Sequence, residues 1–168
     1  SVADGKNVRT LLGHEGWVWG VAFSPDGSVL ATASADSKVK LWNTETWEEI
    51  RTLEGHKGRV NAVAFSPDGK QLLSASSDYT MKLWNAETGD ELRTFKGHVN
   101  EVWAAKFNTA GDRIVSCSAD YNVMLWSPDS SEALQTLKGH WLRVFDVAFS
   151  PDGKWAVSGA QDKILRRW

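Results

Sequence analysis

Residues 13–42 read GHEGWVWGVAFSPDGSVLATASADSKVKLW, and residues 55–84 repeat the phrase as GHKGRVNAVAFSPDGKQLLSASSDYTMKLW. The Gly-His pair that opens the phrase occurs at residues 13, 55, 97 and 139, so each step is 42 residues long. Eight positions are identical in all four units. In the first unit they are Thr10, Gly13, His14, Val18, Phe23, Gly27, Asp36 and Trp42. A repeat this regular predicts one array, residues 1–168, divided into units 1–42, 43–84, 85–126 and 127–168.

Each unit has the pattern of four short β-strands. An apolar first strand is predicted at Val18–Phe23, with copies at Val60–Phe65, Val102–Phe107 and Val144–Phe149. A Ser-Pro-Asp-Gly turn follows three of these runs, with Pro presetting φ and Gly supplying a positive φ. In the first unit a second strand is expected at Val29–Ser34, a third at 38–42 and a fourth at 50–53. One such sheet cannot cover both of its faces, so the units must stack on one another.

The whole chain resembles the WD-repeat (WD40) family. Residues 21–27 and 63–69 carry the family phrase Val-Ala-Phe-Ser-Pro-Asp-Gly, between a Gly-His pair and an Asp-containing turn before a terminal Trp. The departures are Asn43, Asn85 or Ser127 after that Trp, and Asn-Thr-Ala-Gly at residues 108–111. The resemblance implies an all-β propeller, with four blades of four antiparallel strands in this chain.

The resemblance also implies a structural hydrogen-bond network in each blade, running from Trp through a hydroxyl and His to Asp. The predicted members are His14, Thr32, Asp36, Trp42, His56, Ser74, Asp78, Trp84, His98, Ser116, Asp120, Trp126, His140, Ser158, Asp162 and Trp168. Ser34, Ser76 and Ser118 are alternative hydroxyl members, although the fourth unit has Ala160 there. Ser, His and Asp resemble a hydrolase triad, but four copies without an oxyanion hole favour a structural role.

Other classes of function find no support in the sequence. The net charge is -2, which gives no basis for binding nucleic acid or an anionic membrane. Histidines occur once per unit, so no metal site is expected, and no cofactor motif is present. No apolar run approaches the roughly 20 residues of a membrane span, and residues 1–9 lack a signal-peptide core. A soluble protein is expected, consistent with the cytoplasm, in which Cys117 is a small buried hydrophobe.

Residues 7–12 have the sequence of an outer strand, whereas the fourth unit stops on a third strand at residues 164–168. By resemblance, residues 7–12 complete the last blade. WD-repeat rings usually have seven or eight blades, and two chains make eight. A homodimer with exchanged closing strands is therefore expected, and a four-bladed ring of one chain is the alternative.

Two functions are compatible with these patterns. The first is a self-assembling, non-enzymatic scaffold, engineered without a native ligand, as four repeats without insertions suggest. The second is a module that binds a protein or peptide on its top face, next to the Gly-His loops. The residues predicted there are Trp17, Trp19, Arg59, Asn61, Glu101, Trp103, Arg143 and Phe145. Trp, Arg and Phe are enriched in interface hot spots, but the aromatic side chains could equally pack between blades. Trp141 and Trp155 are two further candidates for exposure.

Overall fold

Successive β-hairpins make up residues 18–167. The computed structural model describes residues 5–168, and residues 1–4 of the first unit lie outside it. The sheet named blade one comprises β1 (Val18–Phe23), β2 (Val29–Ser34), β3 (Val39–Asn43) and β4 (Glu49–Leu53), and blade two comprises β5 (Val60–Phe65), β6 (Gln71–Ser76), β7 (Thr80–Asn85) and β8 (Glu91–Lys96). Blade three comprises β9 (Val102–Phe107), β10 (Ile114–Ser118), β11 (Val123–Trp126) and β12 (Ala133–Leu137), and blade four comprises β13 (Val144–Phe149), β14 (Ala156–Ala160) and β15 (Leu165–Arg167). All pairings are antiparallel between consecutive strands, so each blade is a meander.

The all-β prediction is confirmed, and the strand bounds agree closely with the sequence pattern. All four first strands begin and end where the apolar runs do. In blade one the second strand also has the expected bounds, while the third lies one residue further along and the fourth begins one residue earlier. The patterns were readable because each run is short, apolar and followed by a turn.

The turn after the first strand is held by side chains as well as by glycine. In blade one the Ser24 hydroxyl donates to Asp26 Oδ1 at 2.5 Å and accepts from the Val29 amide at 2.9 Å, while Gly27 has φ 75°. Blade three replaces the serine with Asn108, whose Oδ1 accepts from the Arg113 amide at 3.1 Å. An amide side chain can therefore take over the acceptor role of the serine hydroxyl.

Neighbouring blades are joined by apolar clusters. Between blades one and two, Ala31 and Leu41 pack against Val60 and Val63. The same kind of cluster joins blade two to blade three, and blade three to blade four. Each first strand is in contact with the first strand of the next blade, so the four sheets stack in chain order.

The stack is open at both ends. Within residues 5–168 no extensive strand contact joins blade four to blade one, so the single chain does not form a closed four-bladed ring. Val18 of blade one is 51% exposed, whereas its equivalent Val60 is fully buried. At the other end, Leu165 is 74% exposed, whereas its equivalent Val123 is fully buried. Each end therefore presents one face of an interface that is complete between the inner blades.

The sixteenth predicted strand is absent from the single chain. Residues 7–12 form no strand, and blade four has three strands rather than four. The physical reason is that a strand exists only when a neighbour accepts its hydrogen bonds, and residues 7–12 have no such neighbour among the described residues. That residues 7–12 complete the last blade of a second chain therefore stays a prediction.

Candidate functional site

A chain of hydrogen bonds crosses each blade, as blade two illustrates. The Trp84 indole Nε1 donates to Ser74 Oγ at 2.8 Å, and Ser74 Oγ lies 2.8 Å from His56 Nε2. His56 Nδ1 lies 2.7 Å from Asp78 Oδ2, which also accepts from the Lys57 amide at 2.9 Å. The bonds connect the second strand, the third strand and two loops of one blade.

The other three blades contain the same arrangement. The indole Nε1 to hydroxyl distances are 2.9 Å for Trp42 and Thr32, 2.8 Å for Trp126 and Ser116, and 2.9 Å for Trp168 and Ser158. The Nδ1 to carboxylate distances are 2.7 Å for His14 and Asp36, 2.8 Å for His98 and Asp120, and 2.7 Å for His140 and Asp162. The structure thus brings together all sixteen residues that the sequence predicted as network members.

The alternative serines have a different role. The Ser76 hydroxyl donates to the Arg59 carbonyl at 2.9 Å and accepts from the Asp78 amide at 3.1 Å. Ser34 and Ser118 likewise accept from the amides of Asp36 and Asp120. These serines hold the turn before the third strand and do not contact the histidines.

The hydrogen bonds of each network stabilise the ionised form of its aspartate. Burial raises the pKa of Asp78, but hydrogen bonds from His56, Thr80 and the Lys57 amide outweigh it and hold that pKa well below its usual value. The same balance lowers the pKa of Asp36, Asp120 and Asp162. Ser74 is fully buried, so its hydroxyl is beyond the reach of a substrate. The arrangement can therefore connect strands, but a nucleophile needs access that it lacks.

Aromatic side chains at the start of the first strands of blades one, three and four contact one another, and their surface is here called the inner aromatic surface. Trp17 lies 6.0 Å from Trp19 between ring centroids, and Trp19 lies 6.5 Å from Trp103 on blade three. Trp103 in turn lies 5.7 Å from Phe145 on blade four. The sequence left open whether these aromatic side chains pack together or are exposed. The structure shows both, because the rings contact one another while Trp17, Trp19 and Phe145 remain exposed.

The polar residues of this surface bind one another. Arg59 Nε donates to Asn61 Oδ1 at 2.7 Å, and Asn61 Nδ2 donates to the Val102 carbonyl of blade three at 2.8 Å. Arg59 also lies 3.5 Å from a carboxylate oxygen of Glu101. Asn61 is buried, whereas Arg143 is exposed and its guanidinium forms no hydrogen bond, ion pair or ring contact within residues 5–168. Of the eight residues predicted for the top face, Asn61 is therefore part of the blade contact rather than of an open face.

Three further observations concern residues that the sequence singled out. Trp141 and Trp155 are both exposed, and the Arg167 guanidinium lies 4.4 Å from the Trp155 ring centroid. Cys117 is buried, and burial raises the pKa of its thiol far above the usual range. In residues 5–168 no His, Cys, Asp and Glu side chains cluster as metal ligands would, and no helix is long and apolar enough to cross a membrane.

A second polar cluster was missed by the sequence reasoning. Lys40 Nζ donates to Glu49 Oε2 at 2.7 Å and to Thr52 Oγ1 at 2.8 Å, which ties the third strand to the outer strand. Lys82 makes the same two bonds, to Glu91 and Thr94. The signal was present in the sequence, because threonine recurs at position 10 of every unit. In blade four the equivalent of Lys40 is Arg166, and its buried Nε has no hydrogen-bond partner among residues 5–168.

The repeats match a known family over most of the chain. The model of the WD domain, G-beta repeat, matches residues 5–43, 47–85, 89–127 and 131–168. This chain belongs to the WD40 family. The four matched stretches correspond to the four repeats, so the predicted relationship is confirmed, and WD40 repeats generally serve as protein-interaction modules.

Individual WD40 relatives are similar over about one repeat. The chain is 48% identical over 46 residues to eukaryotic translation initiation factor 3 subunit I of Aspergillus niger, which is 27% of this chain and 14% of that protein. It is 45% identical over 42 residues to WD repeat and SOCS box-containing protein 1 of Homo sapiens, which is 25% of this chain and 10% of that protein. The matches therefore span only about a tenth to a seventh of these relatives.

Proposed function

We propose that this WD40 chain is a non-enzymatic assembly module whose partner is a second copy of itself, the two copies forming an eight-bladed ring. The observation that carries the proposal is the pair of open ends. Blade one exposes the face that, in the other blades, packs against the preceding blade. Blade four exposes the face that, in the other blades, packs against the following blade. Two copies related by a two-fold axis would cover both pairs of faces at once.

The free edge of β15 supports an exchange of strands. Val39 pairs with Leu53, and Met81 pairs with Phe95, in the blades that have an outer strand. The same register places Leu11 of the second copy opposite Leu165. Both leucines would then enter the apolar cluster between blade four and the partner's blade one, and an exposed strand edge would be removed.

The unpartnered Nε of Arg166 supports the same register. Lys40 and Lys82 receive a threonine hydroxyl and a glutamate from their outer strands. The equivalent positions in residues 7–12 are Thr10 and Asn7, which both carry oxygen acceptors. A buried donor without an acceptor destabilises a protein by about 1–3 kcal/mol, so occupation of this edge is favoured.

Residues 7–12 already lie next to blade one of their own chain. Arg9 donates to the Thr46 carbonyl at 2.7 Å. Arg51 and Arg93 on outer strands likewise donate to carbonyls of the following blade, those of Glu87 and Pro128. This shared bond supports a position for residues 7–12 like that of the outer strand of a preceding blade, which would leave little rearrangement for ring closure.

The mass in solution tests the proposal. One chain has a mass of 18.6 kDa, so two have 2 × 18.6 = 37.2 kDa. Light scattering during size-exclusion chromatography is expected to give the mass of the pair over a wide range of concentrations. Leu11→Asp should shift the protein to the single-chain mass because its carboxylate would enter an apolar cluster. Leu12→Asp is the matched control and should leave the pair intact, since Leu12 has the register of the exposed Glu54 and Lys96. A folded wild-type protein with the single-chain mass at every concentration would refute the proposal.

On this proposal assembly itself is the activity, as in an engineered scaffold without a native ligand. The identical lengths of the four repeats support that origin. A second candidate function is recognition of a protein or peptide on the inner aromatic surface, which the exposed Trp17 and Trp19 rings favour. The double variant Trp19→Ala, Trp103→Ala separates the two functions: a recognition module loses its partner, whereas a scaffold still forms a ring.

A further inference from the structure

Arg59 is held between two tryptophans of the blades on either side of it. Its guanidinium carbon lies 4.6 Å from the ring centroid of Trp19 on blade one and 5.0 Å from that of Trp103 on blade three. A guanidinium over an indole within about 6 Å is attracted by the negative face of the ring. The contact therefore links three consecutive blades through one side chain.

The repeat places the same residue types on alternate blades. Trp19 and Trp103 are separated by two units, and so are Arg59 and Arg143. Arg143 follows Trp103 as Arg59 follows Trp19. Among residues 5–168, however, no blade follows blade four, and the exposed Arg143 guanidinium forms no hydrogen bond, ion pair or ring contact.

We propose that Arg143 binds Trp19 of a second copy across the closure, so that four tryptophans and four arginines alternate around the centre of the ring. The proposal rests on the eight-bladed assembly argued above. The proposal adds a specific interaction between two side chains to that interface. The apolar faces and the exchanged strand could form without this interaction.

The neighbouring charges make the contact across the closure stronger than its counterpart within the chain. Arg59 shares its charge between the two indoles and Glu101, whose carboxylate oxygen lies 3.5 Å away on the next blade. The position equivalent to Glu101 on the blade after Arg143 is Trp17 of the second copy. The carboxylate of Glu101 is thus replaced by an indole, and Trp17 stands 6.0 Å from Trp19 between ring centroids. Arg143 would thus meet a pair of indoles.

A mixture of two variants tests the contact. In pairs of Trp19→Ala chains, and in pairs of Arg143→Ala chains, both closures have lost the interaction. A mixed pair has one closure with Arg143 and Trp19 both present, and one with neither. Because the remaining effects of each substitution cancel, the exchange constant reports only the coupling between the two side chains.

Native mass spectrometry can count the three kinds of pair because the two chains differ in mass. Without coupling, the exchange constant for mixed over matched pairs is the statistical value of about 4. With a cation–π contact of ordinary strength, the exchange constant should exceed that value about five- to thirtyfold, because two mixed pairs each gain one contact. The control mixture is Arg59→Ala with Trp103→Ala, whose contact lies within one chain, and it should give the statistical value.

The outcomes separate the two proposals. If wild-type protein is a single chain at all concentrations, the assembly fails and this contact fails with it. If wild-type protein pairs but the Trp19→Ala and Arg143→Ala chains mix statistically, the ring stands and only the contact is overturned. Trp19→Leu and Arg143→Met remove the same interaction with less loss of volume, and they replace any alanine variant that does not fold.

Discussion

Val21 and Val63 occupy the same position in adjacent blades, but Val21 is 66% exposed and Val63 is 9% exposed. The difference arises from the neighbouring blade alone, since both side chains project from a first strand with the same register. Val63 is covered by blade one, whereas no blade in residues 5–168 covers Val21. The pair therefore shows how much side-chain burial a neighbouring blade provides.

Alanine at these two positions should therefore act differently. Val63→Ala is expected to lower the free energy of unfolding by about 1–2 kcal/mol at every protein concentration, since it removes buried methyl groups and leaves a cavity. Val21→Ala should have almost no effect on the dissociated chain and should weaken only the paired form. Urea denaturation at high and low protein concentration checks both expectations, and equal losses for the two variants at low concentration would contradict them.

The hydroxyl of the network can be removed or kept at one position. Thr32→Ala leaves the Trp42 indole and the His14 ring without their shared partner, and it should lower the free energy of unfolding by about 2–3 kcal/mol. Thr32→Ser keeps the hydroxyl that the other three blades use, and its cost should stay below about 1 kcal/mol. Chemical denaturation of the two variants measures the difference. Equal losses would show that the lost methyl group, and not the hydrogen bonds, determines stability here.

The carboxylates of the networks predict loss of stability in acid. The pKa values of Asp36, Asp78, Asp120 and Asp162 are lowered in the folded protein. Such groups stabilise the fold above the pKa of the unfolded chain, about 3.9, and lose that contribution as the pH falls further.

The denaturation midpoint should accordingly decrease steadily below about pH 4. Asp78→Asn is the test variant, because an amide cannot be protonated in this range and the variant should show a shallower decrease. A pH profile in Asp78→Asn parallel to that of the wild-type protein would remove this network from the explanation.

Two glycines separate backbone conformation from packing. A Cβ at Gly27 or at Gly159 would meet nothing within 4 Å, but only Gly27 has a positive φ, of 75°. Gly27→Ala should cost about 1 kcal/mol because the left-handed region strains a residue with a Cβ. Gly159→Ala should instead be neutral or stabilising by up to about 1 kcal/mol, since it reduces the freedom of the unfolded chain. Thermal unfolding of both variants checks the opposite signs.

The sequence predicted the features that depend on local pattern and period. Strand positions, turns and all sixteen network residues follow from runs, glycines and 42-residue spacing, together with the resemblance to WD repeats. Residues 7–12 show the limit of such reasoning. They have the composition of an outer strand, but a strand also needs a partner, and no property of the segment itself specifies where that partner lies.

The polar contacts of the third strand show a second limit. Lys40 looks like a solvated charge in the sequence, yet it is buried and bonded to Glu49 and Thr52. The exposure of Trp19 likewise could not be derived, because it depends on which side chains the neighbouring blades bring against it. Side chains that connect two strands or two blades are determined by three-dimensional neighbours, whereas period alone identifies those that recur in every unit.

The contacts within blades and those between blades together determine how the chain opens. The Trp-hydroxyl-His-Asp networks hold strands within one blade, and the buried apolar clusters hold each blade to its immediate neighbours. The array is therefore a short one-dimensional lattice, whose end units have one neighbour and whose inner units have two. Such a lattice frays from its ends, so backbone amides of β6 and β10 should exchange with deuterated water last and those of β14 first. Pairing of two chains would abolish the ends and make the exchange rates of all blades alike.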